Sequence, residues 1–136
     1  MTSKKINEHV NSFLHNLKIL VKEAYIVLPN NPNIYRANKR IHLLITLDPK
    51  MIIEKVGEKL FKYKDLIYNP NIDQIAHQLT FSEDIDPDSA DLATLLISEI
   101  TTCITTLTSN QKEFFRNILT DLLDDYLEYK VLITSS

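Results

Sequence analysis

The side chains best suited to chemistry lie in the last third of the chain, where Asp121, Asp124, Asp125 and Glu128 fall within eight residues. Helical spacing puts Asp121, Asp125 and Glu128 on one face. Paired carboxylates of this kind can hold magnesium for diphosphate chemistry. An enzyme of that class needs a second such motif across a deep cavity, and 136 residues are too few to build one. The expected result is an acidic face in contact with solvent, its self-repulsion relieved by water or by cationic parts of the same molecule. A second acidic string, Asp84-Ile85-Asp86-Pro87-Asp88, has the first, third and fifth positions of a calcium loop. It lacks the rest: position six is Ser89 instead of glycine, and position twelve is Leu95 instead of glutamate. Asp86 is better placed to cap a helix, with the neighbouring carboxylates complementing its positive N-terminal end.

The remaining reactive side chains do not converge in sequence. His9, His15, His42 and His77 show no zinc-protease spacing, and His9 and His15, six apart, would not share a helix face. No Glu-x-x-His pair of the di-iron kind exists. Cys103, the only cysteine, permits no internal disulfide and no cysteine-based zinc site, and it falls on an apolar helix face as a small core residue. The single glycine, Gly57, removes every mechanism built on a glycine-rich phosphate cradle or a nucleophile elbow. Gly57 sits inside a helical pattern, where a close helix crossing would explain it. The reading is of a chain without catalytic residues, cofactor or metal.

Basic residues form the other candidate set. Arg36, Lys39 and Arg40 lie on one side of one predicted helix, and Lys55, Lys59 and Lys62 form an i, i+4, i+7 stripe on the next. Such a patch can neutralise phosphates. Glu54 and Glu58 sit beside the lysine stripe, however, and Tyr35 and Tyr63, which could stack on bases, fall at core spacing. Nucleic-acid binding is therefore the alternative rather than the leading function.

The elements that must position these residues are helical. Apolar residues recur at three and four throughout, and strict alternation does better nowhere. Ile6, Val10, Phe13, Leu17, Leu20, Val21 and Ala24 mark a helix over roughly 4–28, stopped by Pro29. Asn31-Pro32 opens a second helix over about 32–47, with Ile34, Ala37, Ile41, Leu44 and Ile45 along its stripe. Asp48-Pro49 opens a third over about 49–67, carrying Ile52, Ile53, Val56, Leu60, Tyr63 and Ile67. A connection over 68–86, with a short candidate helix near 73–79, leads to a fourth helix over about 87–107. Eight of the twelve residues Ile97–Thr108 are β-branched, which makes a strand the rival there; isoleucines at 97, 100 and 104 favour the helix. Thr108-Ser109-Asn110-Gln111 has the capping-box form and opens the last helix, about 109–132. Its apolar residues, Phe114 to Leu127, cover more than half its circumference, which predicts a central position. The expectation is an all-α, single-domain bundle of five to six helices. No apolar run is long enough to cross a membrane, and the N-terminus does not form a secretory signal.

Charge is distributed unevenly. Residues 1–64 hold twelve Lys or Arg against five acids, and residues 65–136 hold three against thirteen, giving +7 and −10 around a net charge of −3. Two such halves attract within one bundle and also offer complementary surfaces to a second copy or to another protein.

Seventeen isoleucines, eleven asparagines and twelve lysines stand against three arginines, five alanines and one glycine, the vocabulary of an A/T-rich coding genome. With the order Phe13…Leu17…Pro29, Asp48-Pro49…Tyr63 and Phe114-Phe115…Leu119…Leu122…Tyr126, the chain resembles small all-helical proteins of unassigned function in nucleocytoplasmic large DNA viruses of protists. The resemblance implies a virion or virus-factory component in the host cytoplasm, acting by assembly; it carries over no catalytic or binding residue. The functional expectation is a non-enzymatic interaction protein that binds protein partners or itself. Its basic surface would be Arg36, Lys39, Arg40, Lys55, Lys59 and Lys62, and its acidic face Asp121, Asp125 and Glu128.

Overall fold

The helix starts that the sequence encodes at Asn31-Pro32, Asp48-Pro49 and Thr108 are realised in the computed structural model, which describes residues 2–62, 64–68, 95–97, 99–100 and 107–135; the start expected at Asp86-Pro87 lies outside them. Helix α1 spans Thr2–Val27, α2 Pro32–Leu44, α3 Pro49–Lys62, α4 Lys64–Tyr68 and α5 Ser109–Thr134. Residues 95–97, 99 and 100 are also helical, which decides for helix over strand at those positions. No strand occurs among the described residues. Tyr63, the connection over 69–86, His77, the Asp84–Asp88 string and Cys103 lie outside them.

The caps show why the boundaries fall where they do. Asn31 accepts from the backbone amides of Asn33 and Ile34 at 2.9 and 3.4 Å, satisfying two donors that the first turn of α2 leaves orphaned. Asp48 accepts from the Lys50 amide at 3.0 Å at the start of α3. Ahead of α5, the Gln111 amide donates to Thr108 Oγ1 at 3.3 Å and the Thr108 amide to Gln111 Oε1 at 3.1 Å, a reciprocal capping box. The second helix stops three residues earlier than its apolar pattern predicts. Thr46 and Leu47 donate to the carbonyls of Leu43 and Leu44, a tightened final turn that leaves Ile45 beyond the helix and 41% exposed.

One hydrophobic cluster joins α1, α2, α3, α5 and the helical residues at 96, 97 and 100. Phe13, Leu17 and Leu20 of α1, Ile34 and Ala37 of α2, Ile53 and Val56 of α3, Leu96, Ile97 and Ile100, and Leu119, Leu122 and Leu123 of α5 have no solvent exposure. Burying such aliphatic and aromatic side chains stabilises by about 1.5–3 kcal/mol each before chain entropy is counted. Helix α1 packs on α2, α3 and α5; α5 packs on α1, α3 and α4. The central position expected for α5 is thus shared with α1.

Gly57 has the role that a close crossing requires. A Cβ there would lie 2.8 Å from Tyr126 Cε1 and nearer still to Cδ1 and Cγ, so the ring occupies the space a side chain would fill. One turn away, the Tyr129 hydroxyl donates to Glu54 Oε1 at 2.8 Å. Contacts running 57 to 54 against 126 to 129 make α3 and α5 antiparallel.

Candidate interaction surfaces

Arg36 and Arg40 do not stand free on α2. Arg40 Nε donates to both oxygens of Glu99, at 3.0 and 2.9 Å, and Arg36 Nε lies 3.5 Å from the same carboxylate. The Glu99 side chain is only 11% exposed, so its charge is compensated where water is scarce. A residue from the acidic half thereby neutralises much of the basic side predicted on α2. Lys39 remains exposed, with Nζ 4.6 Å from the centroid of the Tyr35 ring. Tyr35 is 54% exposed, which corrects the core position that its spacing suggests; the α2 stripe turns on Ile34 and Ala37 instead. On α3, Lys55 and Lys62 are exposed and Lys59 is half-buried.

The acidic face of α5 divides in two. Asp121 is exposed, while Asp125 turns toward α1, accepting from Ser12 Oγ at 2.7 Å and lying 3.2 Å from His9 Nδ1. His9 Nε2 lies 3.0 Å from Glu128. The His9 ring thus bridges the two carboxylates. Although a serine, a histidine and an aspartate meet here, the wiring is not that of an activated nucleophile. The Ser12 hydroxyl donates to Asp125 and not to His9, whose two ring nitrogens face Asp125 and Glu128. The group works as a clasp between α1 and α5. Because Ser12 meets Asp125 and His9, one turn earlier in α1, reaches Glu128, later in α5, these two helices are antiparallel. Asp124 accepts from the Tyr68 hydroxyl at 2.7 Å, which ties α4 to α5.

Buried tyrosines complete the electrostatics. Burial, together with the hydrogen bond to Glu54, pushes the Tyr129 phenol up to about 12. Burial and the carboxylates of Glu58 and Glu54 raise Tyr126 in the same direction. Among the described residues no three His, Cys, Asp or Glu side chains converge as a metal cage. Nor is any helix there long and apolar enough to cross a membrane.

A surface absent from the sequence expectations lies between the C-terminal half of α1 and α2. It is a groove of about 580 Å³ with Tyr25, Ile26 and Ile45 on its apolar side and Lys18, Lys22 and His42 at its rim. Tyr25, Ile26 and Ile45 are 41%, 59% and 41% exposed. The readable signal was that Tyr25 and Ile26 are apolar at positions off the stripe that Phe13, Leu17 and Leu20 define, so they could not reach the same core.

Comparison with protein-family models, with curated proteins and with solved structures finds no match to this chain.

Proposed function

We propose that this chain is a non-enzymatic helical interaction protein that binds protein partners, or itself, through oppositely charged surfaces. The observation that carries this reading is the groove between α1 and α2, where large apolar side chains remain half exposed beside Lys18, Lys22 and His42. Apolar area framed by charge of one sign is the composition of a surface that meets another protein: the apolar part supplies affinity, the charged rim register and approach rate. In keeping with the resemblance to viral helical proteins, we propose a virion or a virus factory of the host cytoplasm as the setting of such a module.

The test is zero-length carboxyl-to-amine cross-linking in the cells that make the protein, followed by mass spectrometry. The expected result is cross-links from Lys18 and Lys22 to carboxylates of another polypeptide chain, lost in a Lys18→Glu/Lys22→Glu variant. Absence of any inter-chain cross-link would overturn the reading.

Exposed Tyr35, with the Lys39 ammonium over its ring, favours nucleic-acid binding as a second reading, supported by Lys55, Lys59 and Lys62. Arg36 and Arg40 contribute less to it, being engaged by Glu99. On this alternative, single- or double-stranded DNA binds at low salt and is released steeply as salt rises. Failure to bind at low salt removes it.

A further inference from the structure

We infer that the occupant of the α1–α2 groove is the outer stripe of α5 from a second copy of this chain, so that copies join head to tail. The inference rests on the protein-binding reading above and names the partner.

Complementarity between two surfaces of the same molecule carries it. The groove offers apolar Tyr25, Ile26 and Ile45 beside Lys18, Lys22 and His42, and no carboxylate lines it. On α5, Asp121, Asp124, Glu128 and Val131 follow at i, i+3, i+7 and i+10, which puts all four on one stripe. All four are exposed, and Val131, at 65%, is the most exposed large apolar side chain among the described residues. The stripe holds three carboxylates, of which Asp121 is free of the contacts that hold Asp124 to Tyr68 and Glu128 to His9, and Lys5 lies in the cavity beside Val131. It still presents what the groove lacks: carboxylates in line with an exposed apolar side chain.

These surfaces cannot meet within one molecule. The clasp of His9 to Asp125 and Glu128 fixes the acidic stripe beside the N-terminal part of α1. The groove begins at Lys18, nine residues further, or about 14 Å along the helix axis at 1.5 Å per residue. Helices α1 and α5 belong to one packed core, so the offset is rigid, and the pairing is available only between copies. Because the two patches differ, the contact is heterologous, and repeated addition closes a ring or extends a chain.

The experiment is sedimentation velocity on the full chain across protein concentration, at about 20 mM and about 500 mM NaCl, where the screening length falls severalfold. The wild type should associate at low salt and dissociate at high salt. Two charge-reversed variants, Lys18→Glu/Lys22→Glu and Asp121→Lys, should each lose association about tenfold or more when alone. Mixed in equal amounts they should regain it, because each then offers the other a matching surface. Ile26→Ser is an uncharged check on the groove and should weaken association at both salt concentrations. All substituted residues are exposed, and unchanged helical circular dichroism verifies the fold. A wild type that stays monomeric at low salt, reversed variants that associate as the wild type does, or a mixture that fails to recover would each overturn the inference. If the wild type is monomeric yet cross-links to a different protein in cells, the copy-to-copy contact falls and the protein-binding reading stands.

Discussion

At Gly57 a single hydrogen in place of a methyl group decides how closely two helices approach. Sequence shows only the anomaly, a helix-interior residue that costs about 1 kcal/mol relative to alanine; the Tyr126 ring against its Cα supplies the reason. Gly57→Ala should therefore destabilise despite its better propensity, by a net of about 1–3 kcal/mol in urea unfolding. Tyr126→Leu in the same background should recover part of that loss, because residues in contact couple in a double-mutant cycle. Tyr129 is a second residue whose role was not legible, since nothing in its spacing shows that its hydroxyl reaches Glu54 across 75 positions. The fold holds its phenol protonated up to about 12, whereas an unfolded tyrosine ionises near its ordinary 10. The stability it contributes is complete below pH 10 and is lost as pH rises toward 12. Tyr129→Phe should cost about 0.5–1.5 kcal/mol at neutral pH and should flatten the fall in stability between pH 10 and 12, as measured by denaturation at a series of alkaline pH values.

For the elements, the legible part was their starts, because capping is a local transaction within four residues. Asn31, Asp48 and the Thr108–Gln111 pair each contact backbone amides of the turn they open. Thr108→Ala should destabilise by about 1 kcal/mol, with early loss of protection at the amides of Gln111 and Lys112, which donate to Thr108, in hydrogen exchange. Helix ends were less legible. The α2 stripe continues through Ile45, yet the helix stops at Leu44, since a pattern of apolar residues does not say whether the last one has a core to face. Phe114 and Phe115 show the same limit. Both lie in the wide apolar arc of α5, but Phe115 is buried and Phe114 is 47% exposed, and only the position of the neighbouring helices separates them.

Across the whole molecule, the uneven charge of the two halves is partly spent internally, through Glu99 on Arg36 and Arg40. These contacts join basic-half to acidic-half residues, so added salt should weaken the fold. The melting temperature at low protein concentration should drop by a few degrees between about 20 mM and about 500 mM NaCl; a rise would show that repulsion within each half outweighs the attraction between them. What the sequence determined by itself was the helical class, the cap-defined starts and the stripes of Phe13, Leu17, Ile53 and Leu122. Those depend on neighbours three or four residues away, which the chain order already specifies. Tertiary structure alone decided that Arg40 would meet Glu99, that Asp125 would turn inward to Ser12 and that Tyr25 and Ile26 would line a groove. Each of these depends on which helix lies opposite, at what angle and in what register, and that is an outcome of packing the entire core at once.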